Sequence, residues 1–233
     1  MVNINTVYQT VLALANKEQR GYITPQEFNL FANQAQMSIF EQYFYDLNQF
    51  LRVPGNNTAY ADMVDLLEEK ISNFEQTNVA VGGGNFLPSN LYKLQQVQWA
   101  DVANNRIYPV EYVDRKTFLQ MAGVPLVKPT DKNLVYLRNK YAITVVGDGP
   151  KNENVTCNYI SKPTTPNWTY VVVNKKALYN PNAEDHQHFD LHESEQTELV
   201  TRILALAGIT LKDTNLFQIA SSQTNSQIQQ QKQ

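Results

Sequence analysis

The segment from Ile23 to Phe28 constrains the chain most, because it holds a complete helix start in six residues. The Thr24 hydroxyl suits an N-cap, where it accepts from a backbone N–H that has no helical partner. Pro25 fits the first helical position, which needs no N–H donor. Glu27 completes a capping box, and Ile23 and Phe28 are spaced as a hydrophobic staple. The spacing predicts a helix over 25–52, stopped by Pro54 and Gly55. At 1.5 Å per residue such a rod is roughly 40 Å long. Its apolar residues, including Phe28, Phe31, Ala35, Ile39, Phe40, Tyr43, Phe44, Leu47, Phe50 and Leu51, form a stripe wider than one neighbour needs. Either the helix is central to its own domain, or part of the stripe meets another subunit.

Two more helices flank it in the expected fold. Ile4, Val7, Tyr8, Val11, Leu12 and Ala15 fall on one face of a helix that Gly21 would end. A third helix is expected over 59–74, with Met63, Leu66, Leu67, Ile71 and Phe74 inward. From Thr77 the pattern turns strand-like. Segments 91–99, 106–113, 134–138, 142–146, 155–160 and 170–173 are rich in Val, Ile, Tyr and Thr, with Asn, Pro, Gly and Asp between them. Residues 101–105 read as a hairpin connection and 114–121 as a short helix stopped by Gly123. A last helix is expected from Asp190, with Glu193 as its capping-box partner, buried residues Leu199, Val200, Ile203, Leu204 and Leu206, and an end at Gly208.

The predicted fold class is therefore α+β. An N-terminal helical hairpin or three-helix unit (1–76) contains the long central helix. A small, mostly antiparallel β unit with one short helix follows (77–189). A C-terminal helix packs back on the core (190–212) and an extended polar tail closes the chain (213–233). No βαβ rhythm points to a doubly wound nucleotide fold. Gly82-Gly83-Gly84 lacks the Gly-Lys-Ser/Thr ending of a phosphate loop.

Charge and composition narrow the function classes. A net charge of −3 without a basic stripe argues against general nucleic-acid binding. There is no secretion signal at the N-terminus, and no run of about 18 apolar residues to span a membrane. The one cysteine, Cys157, cannot form an intrachain disulfide, which fits assembly in a reducing cytosol. The sequons at Asn56, Asn154 and Asn167 are attributed to the high Asn content. About a fifth of the chain is Asn or Gln, with 13 Tyr and 10 Phe, a mixture that suits protein interfaces, which are depleted of charge at their centres.

Catalytic signals are weak. The three histidines, His186, His188 and His192, lie together, with Glu184, Asp185 and Glu193 nearby as oxygen donors. That set is the best enzymatic constellation in the chain, but it falls in a polar, loop-like stretch where solvated or backbone-bonded histidines are the ordinary case. No Gly-x-Ser-x-Gly elbow exists, and Cys157 sits mid-strand, a poor place for a nucleophile. Glu68 and Glu69 read as a solvated helix face. No catalytic residue, cofactor or metal is expected. The Gln-rich terminus at 227–233 cannot bury enough apolar surface to hold itself, so another protein chain is expected to hold it. Candidate contacts with other subunits or partners are Phe31, Phe40, Tyr43 and Phe44 on the long helix and Leu216, Phe217 and Ile219 in the tail.

Several stretches carry a family resemblance. Residues 7–12, 16–29, 33–36 and 40–44, the segments Asn158-Tyr159-Ile160-Ser161-Lys162-Pro163 and Pro166-Asn167-Trp168, and His192-Glu193-Ser194-Glu195-Gln196 resemble structural proteins of tailed phages infecting Bacteroidetes, the crAss-like group among them. These patches span the chain from end to end. The resemblance implies a neck component: a ring or adaptor subunit between portal and tail, assembled in the host bacterial cytoplasm and resident in the virion. It implies copies of itself in a twelvefold ring, the portal protein and adjacent neck or tail rings as partners, and DNA that passes without specific binding. Two other classes compete. A carbohydrate-binding tail module would use Trp99, Trp168 and the tyrosines as an exposed platform. A metal-dependent hydrolase would use the histidine cluster.

Overall fold

A computed structural model describes residues 1–17, 23–52 and 58–210. The fold is α+β, and the chain divides into two compact units. One comprises Met1–Asn73 together with Pro163–Gln233, and the other is Phe74–Lys162. The β unit is thus an insertion into the helical one. The region expected over 77–189 splits at residue 162, because 163–191 is bonded to the helices rather than to the sheet.

In the helical unit, α1 (Ile4–Lys17) is capped by Asn3, whose Oδ1 accepts from the Asn5 and Thr6 amides at 2.9 and 3.3 Å. The long helix α2 (Pro25–Arg52) has the predicted bounds. Its capping box is formed: Glu27 Oε2 accepts from the Thr24 amide at 2.9 Å, and the Glu27 amide donates to Thr24 Oγ1 at 3.3 Å. Both staple residues, Ile23 and Phe28, are buried. The third helix, α3 (Thr58–Ser72), buries Leu67 and Ile71, whereas Leu66, expected inward, is exposed. Gly21, Pro54 and Gly55 and the Met63 side chain lie outside the described residues.

Part of the wide stripe of α2 is buried within its own unit, at Phe28, Ala35, Ile39, Phe40 and Tyr43, while Leu51 near its end is 65% exposed. The helix packs on α3 and on α5 (Gln196–Thr210), and its polar flank binds the 163–191 segment. Asn29 Oδ1 accepts from the Trp168 amide at 2.9 Å, and its Nδ2 donates to the Trp168 carbonyl at 3.2 Å. The start of the last helix differs from expectation. Asp190 Oδ2 accepts from the Thr164 amide at 2.7 Å and from its hydroxyl at 2.6 Å, so it is not free to cap. His192 caps instead, accepting from the Ser194 amide at 3.3 Å, and a 3-10 turn over Glu193–Glu195 leads into α5, which continues through Gly208. No described helix is long and apolar enough to cross a membrane.

The β unit holds a seven-stranded sheet in the order β1-β7-β2-β3-β4-β5-β6. Its strands are β1 (Glu75–Ala80), β2 (Leu91–Asp101), β3 (Arg106–Tyr112), β4 (Leu134–Arg138), β5 (Ile143–Val146), β6 (Pro150–Lys151) and β7 (Val155–Ser161). All pairs are antiparallel except β3 with β4. Val97, Val110, Leu134, Tyr136, Ile143, Val145, Val155, Cys157 and Tyr159 form its core. The helical unit has its own two-stranded ribbon, β8 (Tyr170–Val173) and β9 (Lys176–Tyr179). Asn174 and Lys175, both at positive φ, make the two-residue turn that matches strand twist. Asn85, Asn105 and Asn154 also take positive φ between strands, and Asn78 does so at a bulge in β1, so part of the Asn content serves backbone geometry.

Candidate interaction surface

The parallel pairing of β3 and β4 dictates the most unusual surface of the β unit. A chain leaving β3 must return to the start of a parallel neighbour, which takes a long crossover. Residues 113–133 provide it, and they contain α4 (Arg115–Ala122) with Asp114 as N-cap and Gly123 as C-cap. A crossover helix ordinarily covers its sheet with an apolar face. Helix α4 has no buried residue at all. Leu119 is 67% exposed, Leu126 is 93% exposed, and Val124 and Val127 are also exposed.

Local sequence holds this arm in shape. The Val127 amide donates to the Val124 carbonyl at 3.2 Å, closing a turn around Pro125 and Leu126. Pro125 and Pro129 fix φ at two of six positions, so less freedom is lost when a partner binds. Beside the arm lies a groove of about 530 Å³ whose lining includes Pro109, Glu111, Met121, Leu126, Lys132 and Val135. Lys128 and Lys132 line it and are exposed, and Arg115 and Lys116 are exposed on α4, one turn before Leu119. Apolar side chains at the centre with polar ones at the rim are the make-up of a docking surface, and here the rim carries lysines. Burying one side chain such as Leu126 in a contact is worth roughly 1.5–3 kcal/mol.

In the helical unit, the predicted contact residues behave differently. Phe40 and Tyr43 are buried among their own unit's side chains, so they are core and offer a neighbour no surface. Phe31 and Phe44 are half-buried. Leu216, Phe217 and Ile219 lie outside the described residues.

The charged groups around Tyr43 form a lock between helices. Lys70 on α3 pairs with the buried Glu195 at 2.7 Å, and its ammonium lies 5.6 Å from the Tyr43 ring centre. Arg202 on α5 binds Glu198, one turn before it, and reaches Ser38 and Gln42 on α2. Burial pushes the Glu198 carboxyl up, against the pull of the Arg202 guanidinium. Burial, helped by Glu195 and Glu198, raises the Tyr43 hydroxyl well above the usual tyrosine range. Each of these two glutamates is matched by a cation, the arrangement a buried charge needs in order to be tolerated.

The structure brings together two of the three histidines. The His186 and His188 rings meet edge to face with centres 4.6 Å apart. His186 Nε2 is 2.8 Å from the Tyr179 hydroxyl, and His188 Nδ1 accepts from the Ile4 amide at 3.3 Å. Asp185 is bonded to Asn167, and His192 is spent on its cap. Among the described residues, no three His, Cys, Asp or Glu side chains are grouped to hold a metal ion. Trp168 stacks on Tyr170 and Tyr179, at 5.8 Å each, and donates its Nε1–H to Asn5 at 3.1 Å. It is buried, so the aromatic set is packing rather than an open platform. Cys157 is buried on β7, next to the edge strand β1 and opposite Val79 and Val97, and burial raises its thiol.

Sequence reasoning overlooked the arm, although the signal was present. Val124-Pro125-Leu126-Val127, between Gly123 and Pro129, is an apolar run in a stretch whose turn residues call for polar neighbours. No protein-family model matches the chain, and no curated protein matches it.

Proposed function

We propose that the chain is a virion structural protein, one subunit of a ring in the portal-to-tail connector that joins head to tail and surrounds the DNA exit channel. The observation that carries this reading is the crossover arm of the β unit, an apolar ridge with a cationic rim that its own unit leaves uncovered. A protein whose work is assembly needs such surfaces, and Pro125 and Pro129 reduce the freedom this one loses on docking. The stretches resembling neck proteins of crAss-like phages supply the identity of the assembly. In this reading the partners are further copies in a twelvefold ring, the portal protein and the adjacent neck or tail rings. The chain acts without catalysis or cofactor, and DNA passes without specific contacts. Assembly takes place in the host cytoplasm and the product resides in the virion.

A glycan-binding tail module is the second reading, motivated by the Trp168 stack beside a groove of about 520 Å³ that Asn5, Gln9, Trp168 and Tyr179 help to line. The burial of Trp168 weighs against it, since sugar rings need an open aromatic face.

Immunogold labelling of purified virions, with antibody raised against this chain, tests the proposal. Gold at the head–tail junction is expected. Gold on the tail fibres, or none on the particle, would move the glycan reading to the front or remove the chain from the virion.

A further inference from the structure

The two units carry opposite charge. Residues 74–162 hold ten Lys or Arg against seven Asp or Glu, a net +3, and the rest of the chain holds nine against fifteen, a net −6. The asymmetry has a surface expression on each unit. On the β unit it is the arm, where Leu119, Leu126 and Val127 stand among Arg115, Lys116, Lys128 and Lys132. On the helical unit it is the outer face of α3. Leu66 is 51% exposed there, between Asp65 and Glu69, both exposed, with Glu68 beside them. Residues three and four apart on a helix share a face, so Asp65, Leu66 and Glu69 form one patch. One surface is apolar with a cationic rim and the other is apolar with an anionic rim.

We infer that the arm of one copy docks on the α3 face of a second copy, with Leu126 and Leu119 against Leu66 and the Lys128 and Lys132 ammonium groups against the Asp65 and Glu69 carboxylates. The contact joins two different patches and is therefore heterologous. Such a contact repeats from copy to copy and closes into a ring when the rotation allows, whereas a self-complementary patch stops at a dimer. This inference rests on the ring-subunit reading and names the surfaces that reading requires. It also commits the arm's cations to protein carboxylates rather than to DNA.

Charge exchange tests it on the full chain. The substituted side chains are exposed, and thermal melts of each variant confirm that it folds. Sedimentation velocity is recorded at low salt for the wild type, for K128E/K132E, for D65K/E69K, for their equimolar mixture and for the chain carrying all four changes. Either two-residue reversal is expected to weaken association by about tenfold or more, since like charges then face each other. The mixture restores it, because each variant's arm is complementary to the other's α3 face, and so does the fourfold variant. Leu126→Ser weakens association without moving the melting temperature.

Association that persists unchanged in every charge variant overturns the arm contact while leaving the ring reading standing. So does a cross-link between arm and α3 that forms within single chains, independent of concentration, or retention on a DNA column that only K128E/K132E loses. A wild-type chain that stays monomeric at every concentration, alone and on the portal, overturns both.

Discussion

Gln36 and Thr164 are joined at the centre of the helical unit. The Gln36 side chain is fully buried on α2, and its Nε2 donates to the Thr164 carbonyl at 2.7 Å. Its Oε1 accepts from the Asp190 amide at 3.1 Å, so one amide side chain stitches a helix to two backbone segments far away in sequence. That stitch, with Asn29 on Trp168, returns the chain to the helices after the β unit is complete.

Replacing Gln36 with Leu keeps the volume and removes both bonds. The Thr164 carbonyl and the Asp190 amide lose their partner, which costs about 1–3 kcal/mol. Urea unfolding should show the midpoint falling, and Gln36→Glu should lower it further at neutral pH, because its buried carboxylate would be unpaired and would face the Thr164 carbonyl. An unchanged midpoint in Gln36→Leu would mean that the 163–191 segment does not depend on this residue.

The neutral form of His188 supports the start of α1. Its Nδ1 must be unprotonated to accept from the Ile4 amide. Burial, the neighbouring His186 and the chain's amino terminus hold its pKa below the ordinary 6.5. A depressed histidine pKa contributes stability that is present above the unfolded value and lost as pH falls through the folded one. Melting temperature should therefore hold above about pH 6.5 and drop as the solution is acidified below it. His188→Gln, which keeps an acceptor and cannot titrate, should flatten that drop. Identical pH profiles for the two chains would remove His188 from the account.

Cys157 should be inert in the folded protein. It lies fully buried between β1 and β2, and burial raises its thiol, which lowers the reactive thiolate fraction. Ellman's reagent should titrate one thiol per chain in denaturant and almost none in buffer. Rapid labelling in buffer would show that the sheet opens around β7.

Much of this architecture was legible because it is written locally. The cap and staple at Ile23, Thr24, Glu27 and Phe28 mark the start of α2 to the residue, and short runs of Leu, Val and Tyr mark β4 and β8 to theirs. Strand β1 escaped because Glu75-Gln76-Thr77-Asn78 is polar and exposed, on an edge that needs no apolar face. Strand β9 escaped for a similar reason, being held by its turn and by one neighbour. The split of the helical unit was hidden because the amides of Asn29 and Gln36 have no periodic signature and their partners lie more than a hundred residues away. Aromatic residues misled the search for contact surfaces. Phe40 and Tyr43 are core, while Leu119, in the predicted short helix, and Leu126, past its Gly123 stop, are exposed.

Native mass spectrometry of the purified chain, alone and mixed with the portal protein that the proposed assembly requires, decides between a ring subunit and a free monomer. A closed oligomer is predicted, with a mass that is a whole multiple of the subunit's 26.6 kDa when the chain assembles alone, or that multiple added to the mass of the portal ring when it assembles there. A chain that remains monomeric and ignores the portal would contradict the account.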